Sequence, residues 1–75
     1  MQLGSYKKGL TYANESIEAN PLNSYTYRVR GEILGRLGKN SKACQDFNRS
    51  SSLGYVLEYG NDLYELIEKY CQPKE

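Results

Sequence analysis

Histidine is absent from the 75 residues, so the side chain that most often moves protons near neutral pH is missing and general acid–base catalysis has no ready carrier. The nearest thing to a nucleophile motif is Ser5-Tyr6-Lys7-Lys8, an S-x-x-K pattern that arises readily by chance and falls where a helix begins. Cys44 and Cys71 lack Cys-x-x-Cys spacing and have no histidine to complete a zinc site, so neither metal nor cofactor is expected. Two readings of that pair stay open: a disulfide across a helix hairpin, or small thiols filling buried space. Asn14-Glu15-Ser16 and Asn48-Arg49-Ser50 match the glycosylation sequon but lie inside helical stretches of a chain without a secretion-signal pattern. What the residue types do offer is recognition. Six basic groups, Arg28, Arg30, Arg36, Lys39, Lys42 and Arg49, occupy the middle of the chain, and eight tyrosines supply rings that can stack on bases or on a partner's side chains. The expectation is a protein that binds and does not catalyse.

Length and composition narrow the setting. A chain this short is a single domain, 1–75, whose one core leaves little stability in reserve. Hydrophobic residues make up 39% and the aromatics are nearly all tyrosine, with one Phe and no Trp. No apolar run approaches a membrane span, and the N-terminal residues Gln2, Gly4, Lys7 and Lys8 do not read as a signal peptide, so a cytoplasmic protein without membrane contact is expected. The net charge of +1 is unevenly spread: residues 28–52 carry six basic groups against Glu32 and Asp46, while residues 53–75 carry five acidic groups against Lys69 and Lys74. Such halves attract across a subunit contact or simply solvate two faces.

The apolar spacing predicts four helices. Tyr6, Leu10, Ala13 and Ile17 form one stripe over 5–19, closed by Asn20-Pro21 because proline cannot continue a helix. A second helix starts after Asn23 or Ser24 and runs to Leu37, with Gly38 as a left-handed stop. The third begins at Asn40 or Ser41, carries Ala43, Cys44, Phe47 and Leu53, and ends at Gly54. The fourth, 57–71, has the densest stripe: Leu57, Tyr59, Leu63, Leu66, Ile67, Tyr70 and Cys71, ended by Pro73. No segment alternates with strand period, so the class is all-α.

Sliding the chain against itself by 34 residues brings Leu3-Gly4 onto Leu37-Gly38, Lys8 onto Lys42, Asn14 onto Asn48, Ser16 onto Ser50, Tyr25 onto Tyr59 and Ile33 onto Ile67. A repeat near this period marks a helix-pair solenoid. Tyr27, Gly31, Leu34, Leu37-Gly38, Ala43, Phe47, Ser50 and Leu53 together resemble one complete tetratricopeptide repeat over 24–57. Residues 5–20 are similar to the second helix of a preceding repeat, 58–71 to a following first or capping helix, and 72–75 is a tail. Small residues Gly31, Ala43 and Ser50 would stand where the two helices approach, with Tyr27, Leu34, Phe47 and Leu53 filling the flanks. Departures from the family pattern are Arg30 in place of an apolar residue, Tyr55 in place of a closing proline, and Gly9 and Ala13 in the first unit.

The resemblance implies an antiparallel helix-hairpin solenoid acting as an adaptor, scaffold or self-assembly unit, with a concave face for a peptide or protein partner. That face would be Tyr25, Arg28, Glu32 and Arg36 on the first helix of the complete repeat, and Tyr59, Asp62, Leu66 and Lys69 on the next. Arg28 and Arg36 are then placed to pair a carboxylate and Tyr25 and Tyr59 to sandwich a side chain. An exposed i, i+4 pair is the plainer reading of Arg28 and Glu32. The family's paired donors for a chaperone tail are not present as a set, and Glu32 would repel an incoming carboxylate. A unit opening on a second helix leaves Leu10, Ala13 and Ile17 in need of a cover, which a second copy of the chain would supply as a homodimer; a longer array or a face left weakly exposed are the alternatives. The alternative function is nucleic-acid contact through the basic section 28–49.

Overall fold

The side-chain oxygen of Asn23 accepts from the backbone N–H of Tyr25 and Thr26 at 3.0 and 3.4 Å, which satisfies two donors that a helix start otherwise leaves open. At the other end of the same helix Gly38 turns with φ +82°, a conformation that costs glycine nothing, and the next helix starts two residues on. The computed structural model describes residues 3–71, for Leu3 the backbone alone. The tail 72–75 and the stop expected at Pro73 lie outside the described residues. Five helices follow in order: α1 Leu3–Ala19, α2 Ser24–Arg36, α3 Asn40–Ser52, α4 Tyr55–Tyr59 and α5 Asp62–Tyr70. The chain is all-helical, with no strand among the described residues.

The terminal helix expected as one piece over 57–71 is two pieces. Gly60 has φ +117° and ψ −169°, a region open in practice to glycine alone, and the break lets α4 and α5 point different ways. The redirection has a packing reason: it buries Tyr55 at one side of the break and Leu63 at the other, with Leu66, Ile67 and Tyr70 laid against the same core. Leu57, assigned to the apolar stripe by its spacing, instead stands 95% exposed.

Helices α2 and α3 pack antiparallel. Gly31 meets Phe47 and Ala43 near the turn, and the Ser50 hydroxyl donates to the Ser24 carbonyl at 2.7 Å near the open end. Ala43, Phe47 and Ser50 are fully enclosed, Tyr27 and Leu34 are buried, and Leu53 is half-buried at the helix end, so the expected small-to-large fit is present at this crossing. The Tyr27 hydroxyl also donates to the Pro21 carbonyl at 2.9 Å, tying the α1–α2 connection down. Helix α1 lies antiparallel on the far side of α2, with Gly9 against Ile33 and Asn14 against Arg30. Ala13 is buried there and Leu10 packs on the core, so two members of the stripe expected to need a second copy are covered by the chain itself; Ile17 is half-buried.

Arg30, out of place for an apolar position, is explained by Asp46. The two form a bidentate pair at 2.7 Å for both bonds, and Arg30 reaches Asn14 at 3.1 Å, so one guanidinium joins α1, α2 and α3. The bonds to Asp46 raise the Arg30 pKa and keep it charged. Asp46 is nearly enclosed whereas the Arg30 side chain retains 26% exposure, so a stranded arginine can still find water. Asp46→Ala is therefore expected to cost about 1.5–3 kcal/mol, the range for hydrogen bonds to a charged group, by urea denaturation. Arg30→Leu combined with Asp46→Leu should recover most of it, because replacing both partners removes the desolvation penalty too.

Cys44 and Cys71 are joined as a disulfide, with Cα atoms 5.2 Å apart, within the usual span. Of the two readings left open by the sequence, buried free thiols give way to a bridge because α5 returns antiparallel along α3 and brings Cys71 beside the second turn of that helix.

Candidate functional site

The residues expected to line a concave face come from α2 and from the α4–α5 corner, and most of them meet. The Tyr25 and Tyr59 ring centroids are 5.4 Å apart, and Arg28 Nε lies 3.7 Å from Asp62 Oδ2. Each of these two pairs is separated in the sequence by one 34-residue period. Helix α5 runs parallel to α2 over this stretch, since Arg28 faces Asp62 and, further along, Gly35 faces Tyr70. Gly35 is required by that approach, because a Cβ there would stand 2.7 Å from the Tyr70 ring.

Glu32 holds both arginines of α2, accepting from Arg28 at 2.6 Å and from Arg36 at 3.2 Å, each an i, i+4 contact on the helix surface. Arg28 also donates through Nε to the Tyr55 hydroxyl at 3.2 Å, and that hydroxyl donates onward to the Asp62 carboxylate at 3.0 and 3.1 Å. Arg28 and Arg36, expected to receive a partner's carboxylate, thus already have carboxylates from the chain. Burial works against the Arg28 charge, but the bond to Tyr55 and the nearby Glu32 and Asp62 outweigh it, so its pKa lies above the ordinary value. Leu66 turns toward the core and Lys69 leans over the Tyr70 ring at 5.3 Å, so these two do not join the cluster.

Tyr55 is the member that sequence reasoning missed as a site residue. Its signal was present in the sequence as an aromatic at a helix boundary, and the structure gives it three roles: it is buried, it stacks near Tyr25 and Tyr59 at 6.5 and 5.0 Å, and its hydroxyl links α2 to α5. Burial pushes its pKa up, and the bond to Asp62 adds to this while the bond to Arg28 opposes it. A raised pKa favours the neutral phenol in the folded state, so this contribution is complete below the ordinary tyrosine range and is lost as pH rises through the raised value. Thermal melts from pH 8 to 11 should show stability falling on the alkaline side, with a shallower fall in Tyr55→Phe; an identical slope in both proteins would exclude this origin.

The outcome is a surface whose charges are internally matched and whose tyrosine rings pack on one another at a half-exposed edge. Tyr25 and Tyr59 are 44% and 49% exposed, but their rings touch at 5.4 Å and Arg28 lies over the Tyr25 ring at 5.3 Å, so the gap expected to sandwich a side chain between them is closed. Of the six basic groups considered for nucleic acid, Arg28, Arg30 and Arg36 are engaged in ion pairs, and Arg49 sits over the Tyr27 ring at 5.9 Å. They are divided among the α1, α3 and α5 sides of α2 and do not make one stripe. Among the described residues no group of His, Cys, Asp and Glu has the arrangement of a metal site, and no helix is long and apolar enough to cross a membrane. No protein-family model, curated protein or solved structure matches the chain.

Proposed function

We propose that this chain is a non-enzymatic protein–protein interaction module of tetratricopeptide type, an adaptor or self-assembly unit that presents the Tyr25–Tyr59 face to a peptide or protein partner. The observation that carries the reading is the contact between residues one period apart, Tyr25 with Tyr59 and Arg28 with Asp62. In a stacked repeat array, equivalent positions of successive first helices are neighbours, and the small per-repeat rotation lines them up on one curved face. Tyrosines suit such a face because a large amphipathic ring provides contact area at little cost in conformational entropy. Arg28 over the Tyr25 ring and Tyr55 packed against both rings tie them to the ion-pair network.

The test is capture of binding partners on immobilised protein, comparing wild type, a Tyr25→Ala, Tyr59→Ala double variant and a Tyr12→Ala control on exposed α1. The expected result is a set of partners retained by wild type and control and lost from the double variant, with all three equally helical by circular dichroism. Partners held equally by all three would overturn the face assignment. A gel-shift series against salt is expected to show no retardation of RNA or DNA; salt-sensitive retardation would replace this reading with nucleic-acid contact.

A further inference from the structure

The disulfide lies at the edge of the apolar core, with Cys71 packed against it. Cys44 and Cys71, both partly exposed, form part of the wall of an open cleft of about 700 Å³, where the α2–α3 turn meets the end of α5. Lys39, Lys42, Gln45 and Tyr70 line the same cleft. Its size suits a ligand of small-peptide dimensions.

The two sulfurs of the bond have different surroundings. Cys44 is in the second turn of α3, one turn in from the positive end, and no side chain among the described residues caps that end, so the helix adds only a small share of the positive field there. Asn48 Nδ2 contacts Cys44 Sγ at 3.7 Å as a donor, and Lys39 and Lys42 supply positive charge on the same wall. Cys71 instead caps the C-terminal, negative end of α5, its N–H bonded to the Ile67 carbonyl at 2.7 Å. Helix N-termini and neighbouring cations stabilise a thiolate, and the sulfur with the more stable thiolate is the better leaving group in exchange. All of these features place the developing negative charge on Cys44.

We infer that the Cys44–Cys71 disulfide is a thiol-exchange site that takes a small anionic thiol. The incoming thiolate attacks Cys71 Sγ and forms a mixed disulfide there. The Cys44–Cys71 bond breaks with its electron pair going to Cys44 Sγ, which leaves as a thiolate. A second equivalent of the thiol, as thiolate, attacks the reagent sulfur of the mixed disulfide, so that the reagent ends as its own symmetrical disulfide and Cys71 as a thiolate. The reagent supplies both electrons, and the thiolates take protons from solvent according to pH. Lys39 and Lys42 draw the negative reagent in, and the exchange unties the end of α5 from α3.

The experiment reacts the oxidised native protein with three thiols of similar size, 2-sulfanylethanesulfonate, 2-sulfanylethanol and cysteamine, with rates corrected for each thiol's own pKa. The urea-denatured chain serves as the reference in which the fold's contribution is absent. The anionic thiol is expected to react roughly fivefold faster than the neutral one relative to that reference, and the cationic thiol slower, by electrostatic attraction to the lysines. The preference should collapse at about 1 M salt and in a Lys39→Gln, Lys42→Gln variant. Acid quenching, alkylation and peptide mass analysis at partial reaction should find the reagent on Cys71 and the alkyl group on Cys44. Rates indifferent to reagent charge, a reagent adduct mainly on Cys44, or two thiols that refuse to pair under mild oxidation would each overturn the inference.

Discussion

Gly31→Val is expected to be among the most destabilising single substitutions this protein can carry. A Cβ at position 31 would stand 2.6 and 2.8 Å from Phe47 ring carbons and 3.2 Å from the Ala43 carbonyl oxygen. The ring is fully enclosed, with Tyr70 packed near it at a centroid distance of 6.0 Å, and the carbonyl is helix backbone, so neither neighbour yields without parting α2 from α3. Overpacking of this kind costs about 1–3 kcal/mol or more per site, a large share of the ~3–5 kcal/mol that the core of a domain this size supplies. Three alanine substitutions grade the effect, since each gains up to about 1 kcal/mol in helix propensity before sterics are counted. Gly4 has nothing within 4 Å of its added carbon, so Gly4→Ala should be neutral or stabilising. Gly9→Ala meets only the terminal carbon of Ile33 at 2.8 Å, a flexible neighbour, and should fall near zero. Gly31→Ala should be net destabilising. Urea denaturation followed by circular dichroism ranks the set, and a Gly31→Val protein as stable as wild type would remove the tight α2–α3 crossing on which the fold rests.

Loss of the disulfide should be comparably severe. The bridge joins residues 27 apart in the sequence, and closing a loop of that length restricts the unfolded chain enough to supply about 3–4 kcal/mol in the chain-entropy account. At about 4–8 °C per kcal/mol for a domain this small, a Cys44→Ala, Cys71→Ala protein should melt roughly 15 °C or more below the oxidised wild type. Wild type in excess reductant should approach the variant. Helix α5 is the element most affected, because it is short and its remaining hold on the molecule is the Leu63, Leu66, Ile67 and Tyr70 face with the Asp62 contacts. Amide exchange should therefore rise first in α5 on reduction, and equal melting temperatures for the oxidised and cysteine-free proteins would rule out a structural role for the bond.

The helices were legible where local rules act alone. Asn23 caps α2, Gly38 stops it and Asn20-Pro21 closes α1, because caps and breakers work through the backbone of a few adjacent residues. Reading 57–71 as one helix failed at Gly60-Asn61. The spacing of Tyr59, Leu63, Leu66 and Ile67 suits a continuous helix, and the gain from turning the chain there comes from burying Tyr55 and Leu63 against Leu34, Ala43 and Phe47, which no local window around Gly60 contains. Leu57 misled for the same reason: periodicity marks an apolar residue, whereas burial depends on which neighbour arrives opposite it.

The candidate face divides in the same way. Its membership by spacing placed Tyr25, Arg28, Glu32, Arg36, Tyr59 and Asp62 in one cluster, because a 34-residue offset between parallel helices makes equivalent positions neighbours. The state of its charges was legible only in part. The i, i+4 pair of Arg28 with Glu32 was legible and is present, with Arg36 on the same carboxylate, but only the arrival of Asp62 and the Tyr55 hydroxyl ties Arg28 to a remote segment and completes an internal network.

The amino-acid order by itself determined that the chain is helical, where most helices start and stop, and which small residues stand at the crossing of α2 and α3, since each follows from backbone preference and side-chain period. Tertiary structure alone decided the corner at Gly60, the contacts of Arg28 with Tyr55 and Asp62 and of Arg30 with Asp46, and the pairing of Cys44 with Cys71. Those depend on distances between segments remote in sequence, which are set only when the whole core packs at once.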